Sequence, residues 1–191
     1  MIKIDRPRCP NTRALSKDYK NPKNKSVLVG ASFGKCMYCE SMISHTYPGD
    51  IEHIKPKINF PALEYSWDNL GVACWKCNNK KRDKFDNNTP YINPYEEDPG
   101  GHIIALGSML KQKRGSERGE LTILDIDLNR LELVEKRQEK LDVINKLINE
   151  CFRSSNSTLK NNALDDLKKE AWYDKEYSLC VKYLLKINDI I

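Results

Sequence analysis

The sequence predicts an α+β fold, and three observations carry the prediction. Two Cys-x-x-Cys pairs, Cys36/Cys39 and Cys74/Cys77, enclose a short apolar stretch around Ile51 to Ile54. The second pair runs directly into Asn78-Asn79-Lys80-Lys81, where a helix is expected to begin, so the unit reads strand, strand, helix. From about Asn129 the apolar residues change to helical spacing. Leu131, Val134, Leu141, Ile144, Ile148 and Cys151, with Leu147 beside them, fall on one stripe of a long helix.

Taken in order, residues 1–34 form a basic N-terminal arm, punctuated by Pro7, Pro10, Pro22, Gly30 and Gly34, with a helical turn or two around Thr12 to Tyr19. Residues 35–86 are the cysteine-bearing core. Residues 87–128 read as an irregular, partly β connector: Pro90, Pro94, Pro99, Gly100 and Gly101 break any regular element early in it. The β-prone runs Ile103 to Leu106 and Leu121 to Ile126 are expected to pair as strands across a polar segment containing Gly115 and Gly119. Residues 129–191 are helical, with two further helices expected around Leu159 to Glu170 and Asp174 to Ile187.

At 191 residues the chain suits one sizeable domain, or a small one with helical additions. Its 39% hydrophobic and 31% charged residues describe a soluble protein, and no run approaches the roughly 18 apolar residues needed to span a bilayer. The start, Met-Ile-Lys-Ile-Asp-Arg-Pro, lacks the apolar core of a signal peptide, so a cytoplasmic location is expected. Seven cysteines, an odd number, arranged as two chelating pairs favour metal ligation in a reducing compartment over disulfides. Of those left over, Cys151 and Cys180 are expected to pack inside helices as small hydrophobes. The net charge of +5 permits a polyanionic partner, and Lys76, Lys80, Lys81, Arg82 and Lys84 concentrate that charge against the single acid Asp83.

Cys36, Cys39, Cys74 and Cys77 suit a closed tetrahedral zinc site that pins the base of the long intervening loop. Inside that loop stands His53, between Glu52 and Pro56. A neutral imidazole can take a proton from water, and a divalent cation alongside can stabilise a pentacovalent phosphate and its leaving oxygen, the two tasks of phosphodiester hydrolysis. A zinc ribbon without catalysis is the alternative, and a redox Cys-x-x-Cys is weaker still. His45 and His102 lack such surroundings and read as ordinary polar residues. Trp67 and Trp75 are expected to pack over the zinc knuckle. Taken singly, Asn69 could end a turn, Asn78 cap a helix and Lys80 face solvent.

Taken together, Cys36-x-x-Cys39, Glu52-His53-Ile54-x-Pro56, Trp67-Asp68-Asn69-Leu70 and Cys74-x-x-Cys77-Asn78-x-Lys80-Lys81 closely resemble the HNH endonucleases, in the variant whose last His is Asn. The resemblance covers about 50 residues. It implies a ββα-metal core in which His53 is the general base and Asn69 holds the loop that orients it. Glu52 and Asn78 would hold a catalytic Mg²⁺ or Mn²⁺, and Lys80 or Lys81 would lie near the scissile phosphate. Glu52 stands where many members have Asp, and Asn78 where others have His, which favours a hard, oxygen-preferring cation.

A softer resemblance extends further. The Glu-His-x-x-Pro form, Asn93-Pro94-Tyr95-Glu96-Glu97-Asp98-Pro99 and Leu128-Asn129-Arg130-x-x-Leu133-Val134-x-x-Arg137 look like the small HNH proteins of bacterial antiphage systems, the PtuB subunits of Septu and their retron-associated relatives. What this implies is an effector nuclease that works with a PtuA-like ABC-type ATPase, the helical stripe and the basic arm being candidate docking surfaces. Nucleic acid is the implied substrate, DNA favoured. An RNA- or tRNA-cleaving nuclease and a non-catalytic zinc-stabilised binding module are the alternatives, because phosphate contacts carry affinity with little base identity.

Overall fold

The computed structural model describes residues 1–43 and 49–191, so His45 lies outside the described residues. Among the described residues two short antiparallel hairpins sit among helices, an α+β architecture, and one continuous apolar cluster runs from Met1, Ile4 and Leu28 through the cysteine knuckles to the C-terminal helices.

The first hairpin pairs β1 (Asp50–His53) with β2 (Leu70–Ala73), Asp50 opposite Ala73 and His53 opposite Leu70. β2 is buried along its whole length, which its unbroken Leu-Gly-Val-Ala run allows. Its other edge takes the first knuckle, Met37 N–H donating to Val72 O at 3.0 Å. A Cβ at Gly71 would run into the Met37 sulfur, so a larger residue there would force that buried side chain to move. α3 (Trp75–Lys81) follows Cys74 without a loop, completing the expected strand, strand, helix order.

The N-terminal residues are woven into this core. Two helices, α1 (Thr12–Leu15) and α2 (Pro22–Ala31), occupy the arm, where the sequence reading expected only a turn or two. α2 was hidden because its inward face is thin, Leu28 and the polar Asn24. Its start signals were nevertheless present: Asn21 caps Lys23 N–H at 3.2 Å and Pro22 opens the first turn. Arg6 lies 3.7 Å over the Tyr95 ring and donates to the carbonyls of Trp67, Asp68 and Leu70.

The second hairpin corrects the sequence reading. β3 (Ile103–Leu106) pairs with β4 (Met109–Gln112) across a two-residue turn in which Gly107 takes a φ of +59°. Leu121 to Ile126 is not the partner strand: it belongs to α4 (Glu117–Asp125) and its C-terminal end. Ser116 Oγ caps Gly119 N–H at 3.1 Å, Glu117 and Glu120 complement the first turn, and Thr122, Ile123 and Ile126 bury one helical face while Leu124 stays exposed.

α5 (Leu131–Arg153) is the expected long helix, but its inward stripe is Leu133, Arg137, Leu141, Ile144, Ile148 and Cys151, with Leu131 and Leu147 exposed. Arg137 is buried on this stripe, donating to Leu128 O at 2.8 Å and Ser108 O at 3.4 Å. α6 (Ser157–Lys169) and α7 (Ser178–Ile187) pack back on α5, and Cys151 and Cys180 are buried on their helices as expected. Most of the stripe expected to dock a partner is thus used within the chain, while the lysines and arginines of the basic arm mostly face solvent.

Candidate active site

The four thiols come together. Cys36, Cys39, Cys74 and Cys77 place their sulfurs all within 4.8 Å of one another, and the Cys39 and Cys74 sulfurs are 3.8 Å apart. Zn–S bonds of about 2.3 Å in a tetrahedron require S···S separations of about 3.8 Å, so the donor set and its spacing are compatible with zinc. Arg130 extends its guanidinium to Cys77 at 3.5 Å and Cys74 at 3.9 Å. Burial opposes its charge, but the sulfurs of Cys77 and Cys39 outweigh burial and hold it firmly protonated. Sequence reading missed Arg130 because its contact spans more than 50 residues.

β1 ends on His53, at the wall of a cleft of about 560 Å³. Its Nε2 lies 3.0 Å from Glu64 O. A carbonyl only accepts, so Nε2 carries the proton in the neutral ring and Nδ1 becomes its basic nitrogen. Burial pulls the imidazole below its ordinary range, with the Glu64 carbonyl partly opposing. Tyr19 stands edge-on to the ring, centroids 4.7 Å apart, and its hydroxyl accepts from Lys57 Nζ at 3.2 Å. Lys57 in turn pairs with Glu64 at 2.9 Å. Tyr19 carried no signal in the sequence: it reaches His53 only because the arm folds back.

Asn69 is buried in the turn just before β2, where its side chain accepts from Lys55 N–H at 2.8 Å and donates to Lys55 O at 2.9 Å and Leu63 O at 3.2 Å. These bonds clamp both ends of the loop that follows His53. Asn78 projects from α3 towards β1, its amide donating to Asp50 Oδ2 at 3.4 Å. Glu52 lines the same cleft although only 2% exposed. It accepts from Lys81 Nζ at 2.7 Å and from the Tyr38 hydroxyl at 3.2 Å. Burial pushes its carboxyl upward, against the pull of Lys81 and Tyr38.

The two lysines expected beside a phosphate part company. Lys80 is exposed and pairs with Asp127 at 2.8 Å. Lys81, one turn beyond Cys77 on the inward face, is 1% exposed, and its ammonium also donates to His53 O at 2.8 Å. It braces β1 from within and does not reach a surface phosphate. Trp67 is partly buried against the core, its indole donating to Pro7 O at 2.7 Å, whereas Trp75, expected to pack over the knuckle, is 55% exposed. His102 is bound between Ser116 and Glu97, away from the cleft.

A zinc-compatible knuckle beneath a strand that ends in a histidine facing a polar cleft defines a class, and comparison with known families agrees: residues 36–84 match the HNH endonuclease model. Beyond that core, the chain is 30% identical over 184 residues to the Septu protein PtuB of Bacillus thuringiensis, covering 88% of this chain and 70% of that protein. It is 31% identical over 150 residues to the Septu protein PtuB of Bacillus mycoides strain KBAB4, there covering 62% of this chain and 51% of the relative, about half its length. The chain belongs to the PtuB family. No helix among the described residues is long and apolar enough to cross a membrane.

Proposed function

We propose that this chain is a metal-dependent HNH endonuclease that hydrolyses phosphodiester bonds, DNA favoured, as the nuclease of a Septu antiphage system acting with a PtuA-like ABC-type ATPase. One observation supports the catalytic reading above the others. His53 is oriented by Glu64 O so that Nδ1 is its basic nitrogen, and it shares a cleft with Glu52 and Asn78.

In this reading His53 Nδ1 takes the proton of the attacking water. Its depressed basicity keeps the ring neutral, and therefore able to accept, at physiological pH. Asn69 is a positioning residue that holds the loop carrying Glu64 at the reach of Nε2. Oxygen donors from Glu52 and Asn78 line one wall and fit a hard cation, Mg²⁺ or Mn²⁺, which when bound would stabilise charge on the phosphate and leaving oxygen. The four cysteines hold structural zinc and keep β2 and α3 at the angle the cleft needs. Lys80 contributes phosphate attraction and Lys81 braces Glu52 and His53.

The test is cleavage of plasmid, single-stranded DNA and tRNA by wild type and His53→Ala, with Mg²⁺, Mn²⁺ or chelator, alone and with the co-expressed ATPase. Loss of a general base is expected to slow cutting about 10²- to 10⁴-fold, with zinc content unchanged. Equal cutting by the variant, or none by zinc-loaded wild type in any condition, would end this reading.

A further inference from the structure

We infer that Trp75 is a stacking platform for an unpaired base beside the scissile phosphate, so that the substrate strand lies across Trp75 from the His53 cleft into a second, lysine-lined one. This rests on the nuclease reading above and adds to it the strandedness of the substrate.

Local geometry puts the ring there. Cys74 and Cys77 turn inward to their sulfur cluster and Lys81 follows Cys77 into the interior, so the opposite face of α3 presents Trp75 and Asn79 to solvent, with Arg82 exposed just past the helix end. An indole 55% exposed at the first helical residue, next to a buried cysteine cluster, is a large apolar face that packing within the chain does not explain. These same three residues line two clefts at once. One is the 560 Å³ cleft of His53, and the other, about 580 Å³, is lined also by Lys76, Lys80, Lys84 and Arg130.

Charge selects the occupant. The second cleft carries four exposed cations, Lys76, Lys80, Arg82 and Lys84, against the acids Asp127 and Glu132, with Arg130 held back at the cysteine sulfurs. Its lysines pair with nearby acids, Lys76 with Glu132 at 2.6 Å, Lys80 with Asp127 at 2.8 Å and Lys84 with Asp125 at 3.7 Å. All of these are solvent-exposed pairs, which contribute little and can be exchanged for phosphates. A cationic track interrupted by one exposed aromatic is the arrangement that binds single strands, phosphates on the cations and a base on the ring. A duplex keeps its bases stacked and offers Trp75 no face.

The experiment uses the full chain in a His53→Ala background, so that binding is read without cutting. Affinity is measured for a single-stranded DNA oligonucleotide, the RNA of the same sequence and a blunt duplex, with Trp75, Trp75→Phe and Trp75→Ala, zinc content serving as the folding control. Trp75→Ala is expected to weaken single-strand binding about 10-fold or more, to leave the duplex within about twofold, and to keep the slope of affinity against salt, since stacking releases no counterions. Trp75→Phe should recover most of the loss. A loss confined to DNA or to RNA would support the platform and name its strand. Single-strand binding independent of Trp75, or an equal loss on the duplex, would overturn the platform. If His53-dependent cutting persists in an otherwise wild-type chain, the nuclease reading survives that failure.

Discussion

Two buried carboxylates, twelve residues apart, show how differently one kind of ion pair is used on the two sides of the cysteine knuckle. Glu40, behind it, accepts from the Met1 amino group at 2.7 Å, Ser178 Oγ at 2.8 Å and Leu179 N–H at 3.4 Å, tying the first knuckle, the chain start and α7 together. Burial alone would raise its pKa, but the amino group and Lys35 outweigh burial and hold it below the ordinary carboxylate range. Glu52, on the cleft side, has Lys81 and the Tyr38 hydroxyl, and there burial wins and its carboxyl is pushed up. A carboxylate satisfied from several sides is a staple. One at a cleft whose burial outweighs its partners takes a proton more readily.

The largest effect on this contrast comes from removing what both sides share. Stripping zinc with a chelator, or replacing Cys39 by Ser, should abolish cooperative unfolding of the core. Structural zinc contributes about 10–16 kcal/mol in small domains, and calorimetry with parallel zinc analysis would show it. Glu40→Gln should come next, at about 3–5 kcal/mol, because it leaves a buried ammonium without its counter-charge. Urea melts should register that loss while cutting per folded molecule stays unchanged.

Lys81→Met should cost about 3 kcal/mol, the low end of the range for a broken buried pair, since Glu52 can escape by taking a proton. It should also lower the Mg²⁺ concentration that half-saturates cutting, because the ammonium competes for the same oxygens. An unchanged Mg²⁺ requirement would remove Glu52 from the ligand set.

The smallest effects are those of pH, and the two carboxylates contribute with opposite signs. Glu40 titrates lower in the folded chain than in the unfolded one. Its stabilisation is therefore present above the unfolded value of about 4.3 and lost as pH falls through the folded value. Glu40→Gln should flatten that acid limb of the stability curve. Glu52 titrates higher when folded, so its contribution is present in acid and lost as pH rises through the raised value. For His53, depressed below about 6.5, single-turnover rate should hold to pH 6.5 and fall only below it, as the ring protonates. A limb above pH 7 would contradict the assigned base.

Local chemistry made much of this legible in advance. The four cysteines, the strand, strand, helix order around them and the long helix after Asn129 depend on near-neighbour spacing, and all three stand in the structure. Leu121 to Ile126 was misread because a short apolar run fits either period, and the deciding signal, Ser116 as a cap, lies outside the run. Trp75 was misread because nothing in the sequence says which face of a seven-residue helix the cysteine knuckle will bury.

The sequence by itself determined the family, the donor set for zinc and the identity of His53 as the chain's candidate base, since each is a matter of residue type and spacing. Only the tertiary structure decided that Lys81 turns inward while Lys80 stays out, that Tyr19 from the arm borders His53, and that Arg130 reaches the cysteine sulfurs. These are contacts between segments far apart in the chain. Each depends on how apolar faces from several elements bury one another at once, a condition that no local pattern records.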